Sequence, residues 1–311
     1  MQEVFSSAKK KSLETIVIDP PFFSSKLYGR LPQIFWIIFW PIFFFSSPVN
    51  KLLVTHSFFL LSPFIFLLHK KKLFFLFQGE EYKAFRSSLI VNVLEWILKG
   101  RFKHFRCIAT NEYLYNVAIK MGGRIIRVKN NLGPKKVFFR NRSSIAPRKY
   151  VIIFARAGYN KALSDAIELA RLVRYKLPVH FITPDEATFK MVLSNGFDCT
   201  LSVDSEQICS YLEQALALFL PSHYEGLSLP MLEALATGTP VVTYSEGFPR
   251  MYALHNKHVK FVAGRNATAA FQQLIEISED SIYKMNRMPL VSIDEFSFEA
   301  YCDEVAGLLS L

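Results

Sequence analysis

Apolar and polar positions alternate along the chain in a way that predicts strands separated by helices. In the first half, short apolar runs are typical of buried strands. Between them, apolar residues recur every three or four positions, which is the period of a helix. The predicted strands of this half are residues 15–19, 51–56, 73–77, 106–110 and 124–130, and helices are expected at 82–100 and 111–123.

The second half repeats this pattern. The predicted helix 160–177 carries an apolar stripe at helical spacing, formed by Leu163, Ala166, Ile167, Ala170 and Val173. Strands are predicted at 150–156, 179–183, 216–221 and 240–245, and further helices at 185–197, 208–215 and 230–238. Such alternation favours parallel sheets with right-handed crossovers. The predicted fold class is therefore α/β, with two Rossmann-like domains that face each other across a cleft.

Charge divides the chain near its middle. The net charge of the 311 residues is +11, and it separates into +18 for residues 1–150 and −7 for residues 151–311. Residues 131–149 are basic and contain prolines, which predicts a linker between a domain at 1–149 and a second domain that begins at residue 150. The asymmetry indicates that the two domains have different partners.

Two long apolar runs lie in the basic half, at 33–45 and 57–77. Pro41 interrupts the first, and His69 with three lysines interrupts the second. Both fall short of the roughly 20 apolar residues that a spanning helix needs. They are interpreted as buried elements of the domain, and alternatively also as a face that rests on a bilayer, with lysines near anionic headgroups.

Other classes of protein are disfavoured. The basic charge comes without a helix-turn-helix, zinc or RNP-type signature, so we expect no nucleic-acid partner. The four cysteines form no Cys-x-x-Cys pair. This argues against a zinc site or a disulfide framework and favours a reducing compartment. We also expect no signal peptide in residues 1–15, because no apolar run follows the lysines there.

Residues 218–247 hold the clearest candidate site. The predicted strand ends at Leu220, so the loop 222–229 follows the carboxyl end of a strand, where parallel sheets bind ligands. Gly226 allows a ligand to approach the backbone, and Pro230 suits the first turn of the next helix. The N–H groups at the start of that helix form an anion site.

Two glutamates are expected to flank the anion site. Glu225 precedes the helix, and Glu233 is placed in its first turn. Carboxylates there would repel a phosphate but accept hydrogen bonds from sugar hydroxyls, so the implied ligand is a nucleotide sugar. Alternatively, both acids only complement the helix dipole. Arg156 and Lys161, in the loop after another strand, are either the cations for the diphosphate or a solvated pair.

Several of these segments resemble a known family. "PSHYEGLSLPMLEALATGTPVV" (221–242) resembles the signature of the family 4 glycosyltransferases, which are retaining, group 1 type enzymes of the GT-B fold. "FAR…NK" is similar to the family's Arg–Lys pair, and "IATNEYLYNVAIKMGG…IIRVKNNLG" to the end of its first domain. "FSFEAY" (296–301) is similar to the start of its C-terminal helix. The resemblance thus implies domains at 1–149 and 150–291, and a helix at 292–311 that crosses back to the first domain.

The resemblance also implies roles for individual residues. Arg156 and Lys161 would hold the diphosphate, Glu225 would contact the donor sugar, and these three are the expected catalytic residues. The expected donor-binding residues are Gly226, Leu227, Ser228, Leu229 and Glu233. No metal ion or other cofactor is expected.

The implied function is a hexosyltransferase that uses a nucleotide-diphosphate sugar. Its acceptor would be a glycan, lipid-linked and part of surface polysaccharide biosynthesis. The expected location is the cytoplasm or the inner face of the membrane, with peripheral contact through the N-terminal domain. The cations that hold the departing diphosphate would supply most of the catalysis, because they stabilise its negative charge.

The chain departs from the family pattern in three places. Its opening, "MQEVFSSAKKKSLETIVIDPP", has no glycine-rich loop, which implies a reduced N-terminal domain, an incomplete sequence or a partner that supplies the missing part. Gln78 and Glu80 stand near the position of a family histidine, so both are acceptor-side candidates. Arg250 stands where glutamate is common. His223 is more typical of a surface residue. The alternative function is a catalytically inactive or partner-dependent subunit that binds glycan or membrane.

Overall fold

The computed structural model describes most of the chain. The described residues are 15–18, 30–46, 51–80, 82, 87–126, 128, 131–139, 148–156, 162–222, 228–244, 258–280, 289–294 and 296–310. The chain divides into two compact units, one formed by Met1–Leu132 with Ala300–Leu311 and the other by Gly133–Glu299.

The first unit contains a five-stranded parallel sheet in the order β1-β2-β3-β4-β5. Its strands are β1 (Thr15–Ile18), β2 (Lys51–Val54), β3 (Lys72–Phe77), β4 (Arg106–Ala109) and β5 (Arg124–Ile126). Its helices are α1 (Arg30–Phe45), α2 (Ser88–Phe102), α3 (Glu112–Lys120) and most of α9 (Phe298–Ser310), with short 3₁₀ helices at Ser57–Leu61 and Pro63–Leu68.

Aromatic packing forms the core of the first unit. Phe75 and Phe77 of β3 contact Phe102 edge to face, with ring centroids 5.4 Å apart in both pairs. On the other side of the sheet, Tyr301 and Val305 of α9 pack into a cluster with residues of the central strands. The C-terminal helix therefore belongs to the hydrophobic core of the first unit.

The second unit contains a six-stranded parallel sheet in the order β11-β10-β9-β6-β7-β8. Its strands are β6 (Tyr150–Phe154), β7 (Val179–Thr183), β8 (Asp198–Leu201), β9 (Ala215–Leu220), β10 (Val241–Tyr244) and β11 (Val259–Val262). Its helices are α4 (Leu163–Val173), α5 (Glu186–Ser194), α6 (Ser205–Gln214), α7 (Leu229–Ala236) and α8 (Ala267–Glu279), with 3₁₀ turns at Lys136–Phe139 and Ala263–Arg265.

These two parallel sheets confirm the predicted α/β class with two Rossmann-like domains. The structure sets the boundary after Leu132, earlier than the predicted 149/150, because Phe138 is buried in the core of the second unit. The edge strands β8 and β11 were not predicted. The predicted strand 124–130 is described as a strand only at β5.

A buried arginine joins the amino ends of three strands in the second unit. The Arg148 guanidinium donates to the Ala215 carbonyl at 2.6 Å, to the Gly238 carbonyl at 2.6 Å and to Thr239 Oγ1 at 2.7 Å. Arg148 precedes β6, Ala215 begins β9, and Thr239 lies just before β10. One cation therefore satisfies polar groups at the edge opposite the candidate site.

The apolar runs of the first unit are helical in large part. Residues 33–45 lie within α1, and 57–77 form two 3₁₀ helices followed by β3. Trp40 is fully buried and donates its Nε1–H to the Phe59 carbonyl at 3.0 Å. Within the described part of the chain, none of the helices has the length and apolar character required to cross a membrane.

Candidate functional site

The strand order of the second unit creates a crevice at one sheet edge. From β6 the chain proceeds outward to β7 and β8, and from β9 it proceeds to β10 and β11 on the other side. The adjacent strands β6 and β9 thus form a topological switch point. Ligands of open α/β sheets bind outside the carboxyl ends of the strands at such a point.

A cavity of about 440 Å³ lies at this edge. Its walls come from the ends of β6 and β7, the segment after β8, and helices α6 and α7. The lining residues are Phe154, Ala155, Arg156, Ile182, Thr183, Pro184, Ser202, Val203, Ile208, Leu229, Pro230 and Glu233. The volume falls within the range of small-molecule sites.

The structure brings three of the sequence-predicted residues to this cavity, namely Arg156, Leu229 and Glu233. Ser228, a fourth, precedes α7 as its N-cap and is buried. Lys161, Glu225, Gly226 and Leu227 lie outside the described residues, as do His223 and Arg250.

Helix α7 presents its N-terminus to the cavity. Pro230 lies in the first turn, as predicted. The Ser228 side chain does not cap the helix, and its Oγ, which is buried, has no hydrogen-bond partner among the described residues. The first N–H groups of a helix lack intrahelical acceptors. This end of α7 therefore offers hydrogen-bond donors and a positive dipole to a ligand.

Glu233 lies in the second turn of α7, and the placement in the first turn was wrong. The helix begins at Leu229, so Glu233 lies one position further along the helix than the sequence suggested. Burial raises the pKa of Glu233 to about 7, although the positive charges of Lys135 and Arg156 oppose this increase. The carboxyl group is thus poised between its neutral and ionised forms near neutral pH.

Lys135 does not line the cavity, but it is a cation whose charge reaches the site and which the sequence did not reveal. Its charge acts on Glu233 together with that of Arg156. The loop that carries it is fixed by neighbouring groups: the Phe298 N–H donates to the Pro134 carbonyl at 3.2 Å, and Lys135 Nζ lies 5.7 Å from the centre of the Phe298 ring. The sequence signal for this position was the preceding Gly133-Pro134 pair, because these two residues restrict the path of the loop that carries Lys135.

Gly133 is required by this arrangement. A Cβ at that position would lie 2.5 Å from the backbone carbonyl carbon of Phe296. The displaced atom would belong to the backbone, which cannot move aside as the end of a flexible side chain can. Only glycine therefore lets the loop that bears Lys135 approach so closely.

The acceptor-side candidates lie in the first unit, at the carboxyl end of β3. Gln78 donates its side-chain amide to the Thr55 carbonyl at 3.1 Å. Glu80 is only 2% exposed and accepts hydrogen bonds from the hydroxyls of Tyr82 at 2.7 Å and Tyr113 at 2.6 Å. Burial raises the pKa of both tyrosines, so they stay neutral donors. Glu80 is thus held firmly by its neighbours.

No metal cluster accompanies the cavity in the described part of the chain. There, no three His, Cys, Asp or Glu side chains are grouped so that they could hold a metal ion.

The sequence of the second unit is similar to a known protein family. Residues 135–289 match the family model described as "Glycosyl transferases group 1". A curated relative, the MMP alpha-(1->4)-mannosyltransferase of Mycolicibacterium hassiacum, is 34% identical over 70 residues, which are 21% of this chain and 17% of that protein.

Solved structures share the fold at low sequence identity. HepE of Anabaena, in complex with UDP and glucose, matches 99% of this chain and 95% of its own with a TM-score of 0.68 and 12% identity. WaaG, a glycosyltransferase involved in lipopolysaccharide biosynthesis, matches 99% of this chain and 94% of its own with a TM-score of 0.65 and 11% identity. TarM matches 84% of this chain with a TM-score of 0.56 and 15% identity, and this chain spans 54% of its length.

The family match coincides with the unit that holds the cavity, and the fold match extends over nearly the whole chain. Residues 135–289 are therefore similar to the group 1 glycosyltransferases, and the chain has a fold of the GT-B class.

Proposed function

We propose that the chain is a retaining glycosyltransferase of family 4 that moves a hexosyl group from a nucleotide-diphosphate sugar to a glycan acceptor. The observation that carries this proposal is the cavity at the β6/β9 switch point, where Arg156, Glu233 and the N-terminus of α7 meet. The HepE neighbour was solved with UDP and glucose, which supports a UDP-sugar as the donor.

In this proposal, the donor's diphosphate lies between the cations of the site and the positive N-terminal end of α7. Arg156 and Lys135 supply positive charge near the start of α7. By family resemblance, Lys161 joins them. Negative charge grows on the diphosphate as the bond to the anomeric carbon breaks, and fixed cations that stabilise this charge lower the barrier. The proposal needs no metal ion or other cofactor.

The remaining donor contacts follow from the same placement. Glu233 accepts hydrogen bonds from the ribose hydroxyls. By family resemblance, Glu225 contacts the donor sugar, and the amides of residues 226–229 contact phosphate or sugar. In front-side attack, the acceptor oxygen bonds to the anomeric carbon on the face that the diphosphate leaves. The acceptor's proton passes to an oxygen of the departing diphosphate, and the configuration is retained.

For the acceptor we propose a lipid-linked glycan of surface polysaccharide biosynthesis, near Gln78 and Glu80. Helix α2 supports a location at the inner face of the membrane. Leu89, Val93 and Trp96 lie on one side of it at i, i+4 and i+7 and are 71%, 48% and 76% exposed. Such a row of apolar side chains suits the headgroup boundary of a bilayer. WaaG, with a similar fold, acts in lipopolysaccharide biosynthesis.

Titration calorimetry with nucleotide sugars tests the donor site. A thermal-shift screen first selects the donor among UDP- and GDP-sugars. Arg156→Ala and Glu233→Ala should then each weaken its binding by about 10- to 100-fold, since each removes a charge-assisted hydrogen bond. Arg171→Ala, in an exposed position on α4, is the matched control and should bind normally. Unchanged affinity in both site variants would contradict the assignment.

A turnover assay distinguishes the enzyme from the alternative, a partner-dependent or inactive subunit. Release of UDP from UDP-sugar by the purified chain alone, lost in Arg156→Ala, supports the enzyme. Donor binding without any turnover, with or without glycan acceptors, would favour the subunit.

A further inference from the structure

A second cavity, of about 430 Å³, lies in the first unit. It is at the amino ends of β3, β4 and β5, which begin at Lys72, Arg106 and Arg124. The acceptor-side candidates Gln78 and Glu80 follow the carboxyl end of β3. Because β3 has six residues, the two ends of the strand are separated by roughly 17 Å. The cavity is therefore distinct from the proposed acceptor edge.

The lining of this second cavity is strongly basic. Among the described residues that line it are six lysines or arginines and neither aspartate nor glutamate. The six are Lys71, Lys72, Arg101, Lys103, Arg106 and Arg124. They come from the turn before β3, the end of α2 and the segment after it, and the first residues of three strands. Folding thus brings together cations that are distant in sequence, which costs free energy unless a counter-charge is bound.

Four of these cations are not neutralised by carboxylates within the described part of the chain. Arg101, Lys103 and Arg124 form no ion pair there, and Arg106 lies over the ring of Phe74 at 5.9 Å. Positions near the C-terminus of α2 favour cations through the helix dipole, which accounts for Arg101 and Lys103. It does not account for the cations at the starts of β3, β4 and β5.

His104 reports the electric field in the cavity. Its pKa is lowered by burial first, and then by the charges of Lys103, Arg101 and Arg124. The neighbouring cations therefore add to the effect of burial in disfavouring a positive charge on the ring.

We propose that the second cavity is a binding site for phosphate groups, separate from the donor cavity of the second unit. Three guanidinium groups provide the planar, paired N–H donors that match phosphate oxygens, and the lysines add charge. Apolar side chains of Ile65, Phe66 and Leu68 line the same cavity, so the ligand has an apolar part beside its phosphate. A lipid headgroup and a soluble phosphorylated compound share this chemistry.

Inorganic pyrophosphate tests the shared chemistry. Calorimetry compares the double variant Arg106→Gln/Arg124→Gln with Lys120→Gln/Lys176→Gln, which removes the same charge at two exposed lysines outside the cavity. Both carry Arg156→Ala, which weakens binding at the donor cavity. We expect the cavity variant to bind pyrophosphate at least about tenfold more weakly than the control. Equal affinity in the two variants overturns the proposal.

Vesicles identify the source of the phosphate. Co-sedimentation with phosphatidylcholine vesicles, with and without phosphatidylglycerol, is measured for the same variants. Binding to anionic vesicles that the cavity variant loses assigns the site to lipid headgroups, and pyrophosphate binding without vesicle binding assigns it to soluble ligands. Absence of binding in both experiments overturns the proposal. In a wild-type background, Arg106→Gln/Arg124→Gln should keep its UDP-sugar affinity, so this result is independent of the proposed function.

Discussion

Replacing Glu233 by glutamine should make the unliganded protein more stable, and more so at alkaline than at acid pH. Burial raises the pKa of Glu233 from 4.5 to about 7. Between these values the folded state keeps a proton that the unfolded state has released, so stability falls as the pH rises through this window. Above pH 7 the ionised carboxylate costs the native state about 3 kcal/mol.

The size of the effect follows from the two pKa values. The cost of the carboxylate is about 3 kcal/mol at pH 8 and about 1 kcal/mol at pH 5. Glu233→Gln removes that cost, and we therefore expect its gain in free energy of unfolding to be about 2 kcal/mol larger at pH 8 than at pH 5. Any effect of glutamine that does not depend on pH cancels in this comparison.

Urea unfolding at the two pH values, followed by circular dichroism without nucleotide, measures the difference. Glu168→Gln is the matched control, because Glu168 is exposed on α4, and its replacement should give the same small change at both pH values. An equal gain for Glu233→Gln at pH 5 and pH 8, or a loss of stability at pH 8, would refute the reasoning. If the gain is larger at pH 8, the carboxyl group of Glu233 lowers the free energy of unfolding of the native protein.

Other perturbations test the site and its supports. The affinity for UDP-glucose, measured by calorimetry, should rise about tenfold between pH 6 and pH 8. The reason is that only the ionised carboxylate of Glu233 accepts two hydrogen bonds from a ribose diol. Glu233→Gln should show no such rise. Arg148→Ala leaves three buried acceptors without their donor, so the free energy of unfolding should fall by about 3 kcal/mol. A loss of less than about 1 kcal/mol in the free energy of unfolding, measured with urea, would contradict the conclusion that Arg148 stabilises the amino ends of these strands. Gly133→Ala should lower stability by about 1–3 kcal/mol because its Cβ meets the backbone of Phe296. Gly100→Ala, whose Cβ meets nothing within 4 Å, should raise it by about 0.5–1 kcal/mol; equal melting temperatures for these two variants would disprove the contrast.

The strands that the sequence missed share a physical feature. β8 and β11 are edge strands of the second sheet, and β8 has no fully buried residue. A strand buried on both faces needs a continuous apolar run, as in β9, whose six residues are all buried. These edge strands carry a weaker pattern, so in the second sheet periodicity alone found the four interior strands and not the two at the margins.

The candidate site was predictable where it depends on local order. The end of the strand at Leu220 and the place of Pro230 in the first turn of the next helix were predicted from a few consecutive residues and are confirmed. The sequence analysis placed Glu233 in the first turn of α7, but it lies in the second. The helix starts at Leu229, one residue before Pro230, so each later residue is one position further along the helix than predicted.

The sequence by itself determined the alternation of strands and helices, and with it the parallel sheets and the sheet edge where a ligand would bind. These features arise from local apolar periodicity and short-range turn chemistry. Only the tertiary structure decided that Lys135 acts on Glu233 and that six cations from distant segments line one cavity. It also decided that Glu80 is enclosed by two tyrosines. Such convergence depends on how separate elements pack, and electrostatic coupling depends on distance and burial, neither of which a linear pattern records.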